Sequence, residues 1–142
     1  MEAQLFLPSI LVVAGWIIVN WQNDKRELRK EARSNADAVK KTIIEVAEKG
    51  VMYWTNSKED ESYKLTSTLD QIEVELQRFP IFKQGGYLAS AFIAFGDAIT
   101  DGNFESASRT AVLIDDQRIR RIYLKRNELM RTIEQQFIVH YL

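Results

Sequence analysis

The chain has 142 residues, of which 46% are hydrophobic and 27% are charged, and its formal net charge is -1 at pH 7. This length suits one compact domain with a short appended segment, and the composition is typical of globular rather than disordered proteins. The near-neutral charge gives no general argument for a nucleic-acid binder. The absence of cysteine excludes disulfides, thiolate zinc sites and a cysteine nucleophile.

The first segment of the chain is apolar and uncharged. No side chain in residues 3–23 carries a charge, and residues 5–19 are almost wholly apolar. Roughly 20 helical residues cross the hydrocarbon core of a bilayer, and Trp16 and Trp21 lie towards one end, where indole rings favour the headgroup region. We therefore predict a transmembrane anchor over residues 1–23. Its representative side chains are Leu5, Leu11, Val12, Val13, Gly15, Trp16, Ile17 and Ile18.

Two other interpretations fit this segment less well. A cleaved signal peptide needs a basic leading region and a small-residue cleavage site, whereas only Glu2 precedes the segment. A buried core helix rarely runs this long without a polar face.

The charges that flank the segment predict its orientation. Bases follow the segment and none precedes it, so the positive-inside rule predicts a single-pass protein of the cell membrane with its N-terminus outside and its body in the cytoplasm. The bases are Lys25, Arg26, Arg29, Lys30 and Arg33.

Residues 24–142 are predicted to form a cytosolic, all-α domain. The spanning helix continues as a long stalk helix, in which apolar or small residues recur in steps of four and three, as is typical of a packed helix seam. The seam consists of Leu28, Ala32, Ala36, Val39, Ile43, Val46, Gly50 and Tyr53. Such a seam forms either within one chain or as a coiled coil between chains, and the sequence does not decide between them.

The second helix carries a matching seam. A polar loop over residues 56–60 precedes Ser62, a suitable helix cap. Apolar residues then recur at the same spacing from Leu65 to Phe79, and Pro80 ends the helix. Two seams joined by a short loop predict an antiparallel hairpin of the stalk and this helix.

Two more helices complete the predicted bundle. Residues 84–86 (Gln-Gly-Gly) break the chain before a short apolar helix over residues 87–100, which is expected to be central and is too short for a second membrane span. Residues 101–103 (Asp-Gly-Asn) predict a turn. The last helix is expected to run from near Glu105 to the end of the chain, with Val112 in its apolar arc.

A basic run over residues 118–126 is the most suggestive candidate for ligand contact. On a helix, Arg118, Arg121 and Lys125 lie one turn apart on one face, where they could contact phosphates of RNA, nucleotide or lipid. The alternative is a solvated face paired with acids such as Asp116 and Glu128. The acidic pI of about 5.9 favours this alternative.

Arg126 belongs to the same run but projects into the apolar arc, between Ile122 and Met130. A charge in that position must extend to solvent or pair with a carboxylate. The simplest expectation is an internal salt bridge that fixes helix register. A contact with a ligand or a second subunit is the alternative.

No residue pattern predicts catalysis, a cofactor or a metal. His140 is the only histidine and lies near the end of the chain, without a partner at a suitable spacing. The acids of residues 97–105 lack the order of an EF-hand loop. Neither a glycine-rich phosphate loop nor a serine nucleophile motif occurs. We therefore expect a protein that is not an enzyme.

The sequence as a whole predicts a single-pass, membrane-anchored helical interaction module. It would recruit a cytosolic protein partner or self-associate as a homo-oligomer at the inner membrane face. The alternative is a small membrane-perturbing effector or toxin, whose assembled transmembrane helices depolarise or permeabilise the membrane. The expected partners are the lipid bilayer and a protein, and composition disfavours nucleic acid.

Overall fold

The structure is a computed structural model of the chain. It describes residues 3–56, 62–79, 82, 86–102, 104 and 110–141, with side chains from residue 9 onward. These residues form four helices and no strand, so the predicted all-α class is confirmed for the described part of the chain. The helices are α1 (Ala3–Thr55), α2 (Ser62–Gln77), α3 (Gly86–Thr100) and α4 (Gln117–Tyr141).

The chain divides into two compact units, Met1–Asn35 and Ala36–Leu142. In the first unit, every described side chain from Ser9 to Glu31 is exposed. The second unit contains α2, α3 and α4 and nearly all of the buried apolar residues. The predicted domain boundary after residue 23 separates a membrane anchor from a cytosolic domain, and it stays a prediction.

The predicted membrane-spanning helix is not supported by the structure. Within the described residues, no helix holds a stretch that is both long and apolar enough to cross a bilayer. Residues 3–23 are helical as predicted. The side chain of Leu5, one of the predicted span residues, lies outside the described set.

The seam of α1 is buried in the second unit within a single chain. Ile43 and Val46 are wholly buried, and the other predicted seam residues from Ala36 to Tyr53 are buried with them. This part of the seam therefore needs no second copy to cover it. Leu28 differs from the prediction, since 61% of its surface is exposed.

The seam of α2 is buried as well, from Leu65 to Leu76. The helix ends at Gln77, before the predicted end at Pro80, and Phe79 beyond it is also buried. Each fully buried aliphatic side chain contributes about 1.5–3 kcal/mol, so the four-and-three spacing identified the stabilising face of both helices. The pairing of α1 with α2 as an antiparallel hairpin stays a prediction.

Helices α3 and α4 pack against each other. The buried residues of both helices are apolar, and Phe95, Ile99 and Ile122 are completely buried. The prediction of a central α3 holds for one face only, because Ile93 on the other face is 60% exposed. An ion pair between Lys40 of α1 and Glu134 ties α4 to the second half of α1.

The start of α4 differs from the prediction, which placed it near Glu105. The helix begins at Gln117, and residues 110–113 are not helical. The backbone N–H of Val112 donates to the carbonyl of Trp54 at 2.9 Å, a bond incompatible with a place in the helix. Asp116 then accepts the N–H of Arg118 at 2.8 Å and acts as the N-cap.

Candidate functional site: an exposed apolar segment and an arginine cluster

Residues 10–21 of α1, the apolar segment, expose apolar side chains around the whole helix. Nine of them have more than half of their surface exposed: Ile10, Leu11, Val12, Val13, Trp16, Ile17, Ile18, Val19 and Trp21. Successive helical residues turn by about 100°, so four consecutive positions already cover the circumference. A helix that is apolar on all sides belongs in a buried or lipid environment.

The energetic cost of leaving this segment in water is large. At about 1.5–3 kcal/mol for each large apolar side chain, covering all nine is worth on the order of 10 kcal/mol or more. The space around Gly15 is open as well, since a Cβ added there would meet no atom within 4 Å. The predicted span residues from Leu11 to Ile18 are therefore together on one exposed stretch of helix.

The end of the apolar segment meets the charged stretch at Trp21 and Lys25. The Lys25 ammonium lies 3.7 Å from the centroid of the Trp21 ring. Such a cation–π contact contributes about 0.5–1 kcal/mol at an exposed position. An indole ring beside an ammonium group matches the chemistry of the bilayer interface, where aromatic rings and snorkelling lysines are enriched.

The second candidate site, the arginine cluster, consists of Trp54, Asp101, Arg118 and Arg121. The Arg118 guanidinium carbon lies 3.8 Å from the centroid of the Trp54 ring, and its Nη1 donates to the Asp101 carbonyl at 2.6 Å. Arg121, one turn further along α4, donates to Oδ2 of Asp101 at 3.0 Å. Asp101, directly after α3, therefore holds both arginines.

Aromatic residues anchor the cluster to the core. The indole N–H of Trp54 donates to the carbonyl of Ile99 at 2.8 Å. The Tyr53 hydroxyl donates to the carbonyl of Phe104, and the rings of these two residues lie 4.9 Å apart. The cluster thus joins the end of α1, the end of α3 and the start of α4.

An open cleft of about 290 Å³ lies beside the arginine cluster. Its polar lining includes two carboxylates and two guanidinium groups, so it carries no excess of positive charge. Its lining residues are Ala98, Asp101, Asp116, Gln117, Arg118 and Arg121. A phosphate would have to compete with Asp101 for Arg118 and Arg121, and the predicted anion contact of these two residues stays a prediction.

Lys125 and Arg126, the other two candidate contact residues of the basic run, make contacts outside the cluster. Lys125 pairs with Glu128 on the same helix, with 3.1 Å between Nζ and Oε2. Arg126 donates to the side-chain carbonyl of Asn127 at 2.9 Å and lies over the ring of Tyr123 at 4.9 Å. Among the described residues, Arg126 thus contacts an amide and a ring where the sequence suggested a carboxylate.

Sequence reasoning missed the partners of the arginines. Trp54 follows the last residue of the α1 seam, and Asp101 was assigned only to a turn. No local spacing relates either residue to Arg118, because the contact arises from the meeting of three helix ends. Within the described part of the chain, no group of three His, Cys, Asp or Glu side chains is placed to hold a metal ion.

Comparison with protein-family models, with curated proteins and with solved structures gives no match for this chain.

Proposed function

We propose that this protein is a membrane-anchored helical interaction module. The apolar segment inserts into a lipid bilayer, and the second unit presents its surface at the membrane face to a protein partner or to another copy. The observation that carries the proposal is the exposure of nine large apolar side chains on all sides of α1.

A bilayer accounts for this exposure better than a protein groove does. A groove covers one stripe of a helix and leaves the opposite stripe to water or to further partners, whereas lipid surrounds a helix completely. The uncharged stretch begins at residue 3, ahead of the described side chains, and continues to residue 23. As a helix it would measure about 30 Å, close to the thickness of the hydrocarbon core.

The flanking charges support insertion with the second unit on the cytoplasmic side. Five bases lie between Lys25 and Arg33, directly after the apolar segment. Cytoplasmic flanks of single spans carry such an excess of Lys and Arg.

An interaction role for the second unit rests on how its polar groups are used. The Asp101 carboxylate accepts a hydrogen bond from Arg121. The Trp54 carbonyl accepts one from the N–H of Val112, and Lys40 forms an ion pair with Glu134. These contacts join separate elements of the unit and help to fix its shape. A unit of fixed shape next to a membrane anchor is suited to presenting a surface to a partner.

The test is extraction of the full-length protein from membranes with alkaline carbonate. Val13→Lys with Ile17→Lys places two charges in the apolar segment, each costing about 2.5–3.5 kcal/mol at the centre of a bilayer. The wild type should stay with the membrane, and this variant should be released.

The matched control puts two lysines on exposed apolar positions of the second unit, Val74→Lys with Ile93→Lys. This variant should stay with the membrane like the wild type. Release of the wild type by carbonate, or full retention of the lysine variant of the apolar segment, would contradict the proposal.

A further inference from the structure

The charged stretch that follows the apolar segment is sorted by sign around α1. Trp21 and Leu28 are two helical turns apart and define one exposed apolar stripe, with 57% and 61% of their surfaces exposed. In helical projection, charges of opposite sign flank this stripe on its two sides. The flanking residues are Lys25 and Arg29 on the basic side and Asp24 and Glu31 on the acidic side, all of them exposed.

The stripe extends back through the apolar segment. Ile10, Ala14 and Ile17 precede Trp21 at steps of four, three and four, so they share its face of the helix. All three are exposed. One face of α1 is therefore apolar from residue 10 to residue 28 and gains charged flanks only beyond the apolar segment.

Lipid headgroups do not account for the sorting. Attraction to an anionic surface depends on the net charge near that surface, and the acids of this stretch offset part of its basic charge. The distribution of sign around the helix matters instead to a partner that lies alongside it. That partner needs an apolar stripe, a basic flank opposite the acids and an acidic flank opposite the bases.

A second copy of the same helix has these properties when it runs parallel. In a parallel pair related by a two-fold axis, the left flank of each helix meets the right flank of the other, so bases meet acids on both sides. In an antiparallel pair, like flanks meet and repel. Two copies inserted in the same direction into one bilayer are necessarily parallel, a step that rests on the function proposed above.

We propose that two copies of this chain associate in parallel through this face of α1. Lys25 and Arg29 of each copy lie beside Asp24 and Glu31 of the other, and the stripe that includes Leu28 is covered between them. Lys30 lies opposite the stripe, on the rear of the helix, and takes no part in the pairing. It pairs with Glu27 on the same helix at 3.5 Å.

The experiment uses full-length protein in an uncharged detergent, labelled in separate batches with a donor and an acceptor fluorophore. Energy transfer then reports pairing. Asp24→Lys with Glu31→Lys makes both flanks basic, and Lys25→Glu with Arg29→Glu makes both flanks acidic. Each variant alone should pair about tenfold more weakly than the wild type, since exposed attractive pairs are replaced by repulsive ones. A mixture of the two variants should recover pairing.

The control variant removes the charge on the rear of the helix, Lys30→Gln, and leaves both flanks unchanged. It should pair like the wild type. Equal pairing of the wild type and both flank variants, or failure of the mixture to recover pairing, would overturn the proposal. So would a monomeric wild type whose binding to vesicles of anionic lipid is lost in the acidic-flank variant.

Carbonate extraction of the same variants separates this proposal from the proposed function. Flank variants that stay in the membrane but do not pair would support both proposals. A wild type that is extracted yet still pairs through the charged flanks would support the parallel pair and contradict the membrane anchor.

Discussion

The guanidinium of Arg118 lies over the ring of Trp54, one of the most deeply buried side chains of the described residues, with 3.8 Å between the guanidinium carbon and the ring centroid. The same guanidinium donates to the carbonyl of Asp101, just past the last residue of α3. The C-terminal end of a helix carries partial negative charge, so a cation is favourable there. One side chain therefore links the ends of α1 and α3 to the start of α4.

Arg118→Ala should lower the free energy of unfolding by about 2 kcal/mol, because it removes a cation–π contact and a hydrogen bond from a charged donor. Urea denaturation followed by far-UV circular dichroism measures the change. Arg120→Ala, two residues along and exposed, is the control and should change stability by less than about 0.5 kcal/mol. Equal effects of the two substitutions would argue against a special role for Arg118.

Trp54→Phe should destabilise the protein by about 1–3 kcal/mol. Phenylalanine retains an aromatic face for Arg118 but leaves the buried carbonyl of Ile99 without its donor at 2.8 Å. The comparison is Tyr87→Phe, since the Tyr87 side chain is 79% exposed and should tolerate the change. Calorimetric melting of both variants in the same detergent gives the measurement. An unchanged melting temperature for Trp54→Phe would contradict the importance of this hydrogen bond.

Gly102→Ala should be destabilising by about 1–2 kcal/mol. Gly102 has φ of +73°, a conformation that costs an L-residue energy, and a Cβ there would lie 2.9 Å from Nη2 of Arg118. Gly96→Ala in α3 is the opposite case, because a Cβ at Gly96 meets no atom within 4 Å. That substitution should stabilise by up to about 1 kcal/mol. The urea midpoint should fall for Gly102→Ala and rise for Gly96→Ala. Shifts in the same direction would contradict this prediction.

Asp116→Ala should cost about 1 kcal/mol, because the Asp116 carboxylate caps the first turn of α4 through the N–H of Arg118. Asp116→Asn keeps a capping oxygen and should lose much less. The neighbouring exposed residue supplies the control, and Asp115→Ala should be nearly neutral. Hydrogen exchange at the N-terminal turn of α4 locates the effect, and exchange unchanged in Asp116→Ala would show that the cap lies elsewhere.

The buried faces of α1 and α2 could be predicted from spacing alone. Apolar residues at steps of four and three identified the buried faces of α1 and α2, from Val39 through Leu76, because side-chain direction in a helix follows from sequence position. The start of α4 was misplaced because Val112 fits a helical arc by spacing, whereas its amide bonds instead to Trp54. A long-range hydrogen bond outweighed a local pattern.

The candidate sites differ in how far sequence could define them. The apolar segment is a property of consecutive residues, and its composition alone identified it. The arginine cluster depends on the packing of three helix ends. The sequence placed Arg118 and Arg121 on one face, but only the fold brings Asp101 to both of them.

The contacts that hold the second half of α1 join residues very distant along the chain. The bond from Trp54 to Ile99 spans 45 positions, and the ion pair of Lys40 with Glu134 spans 94. Contacts of this kind close large loops and slow folding. During synthesis, Lys40 leaves the ribosome well before its partner exists. In a nascent chain, the second half of α1 therefore lacks part of its stabilising contacts until α4 has emerged. Chains truncated before α4 should depend on chaperones or aggregate.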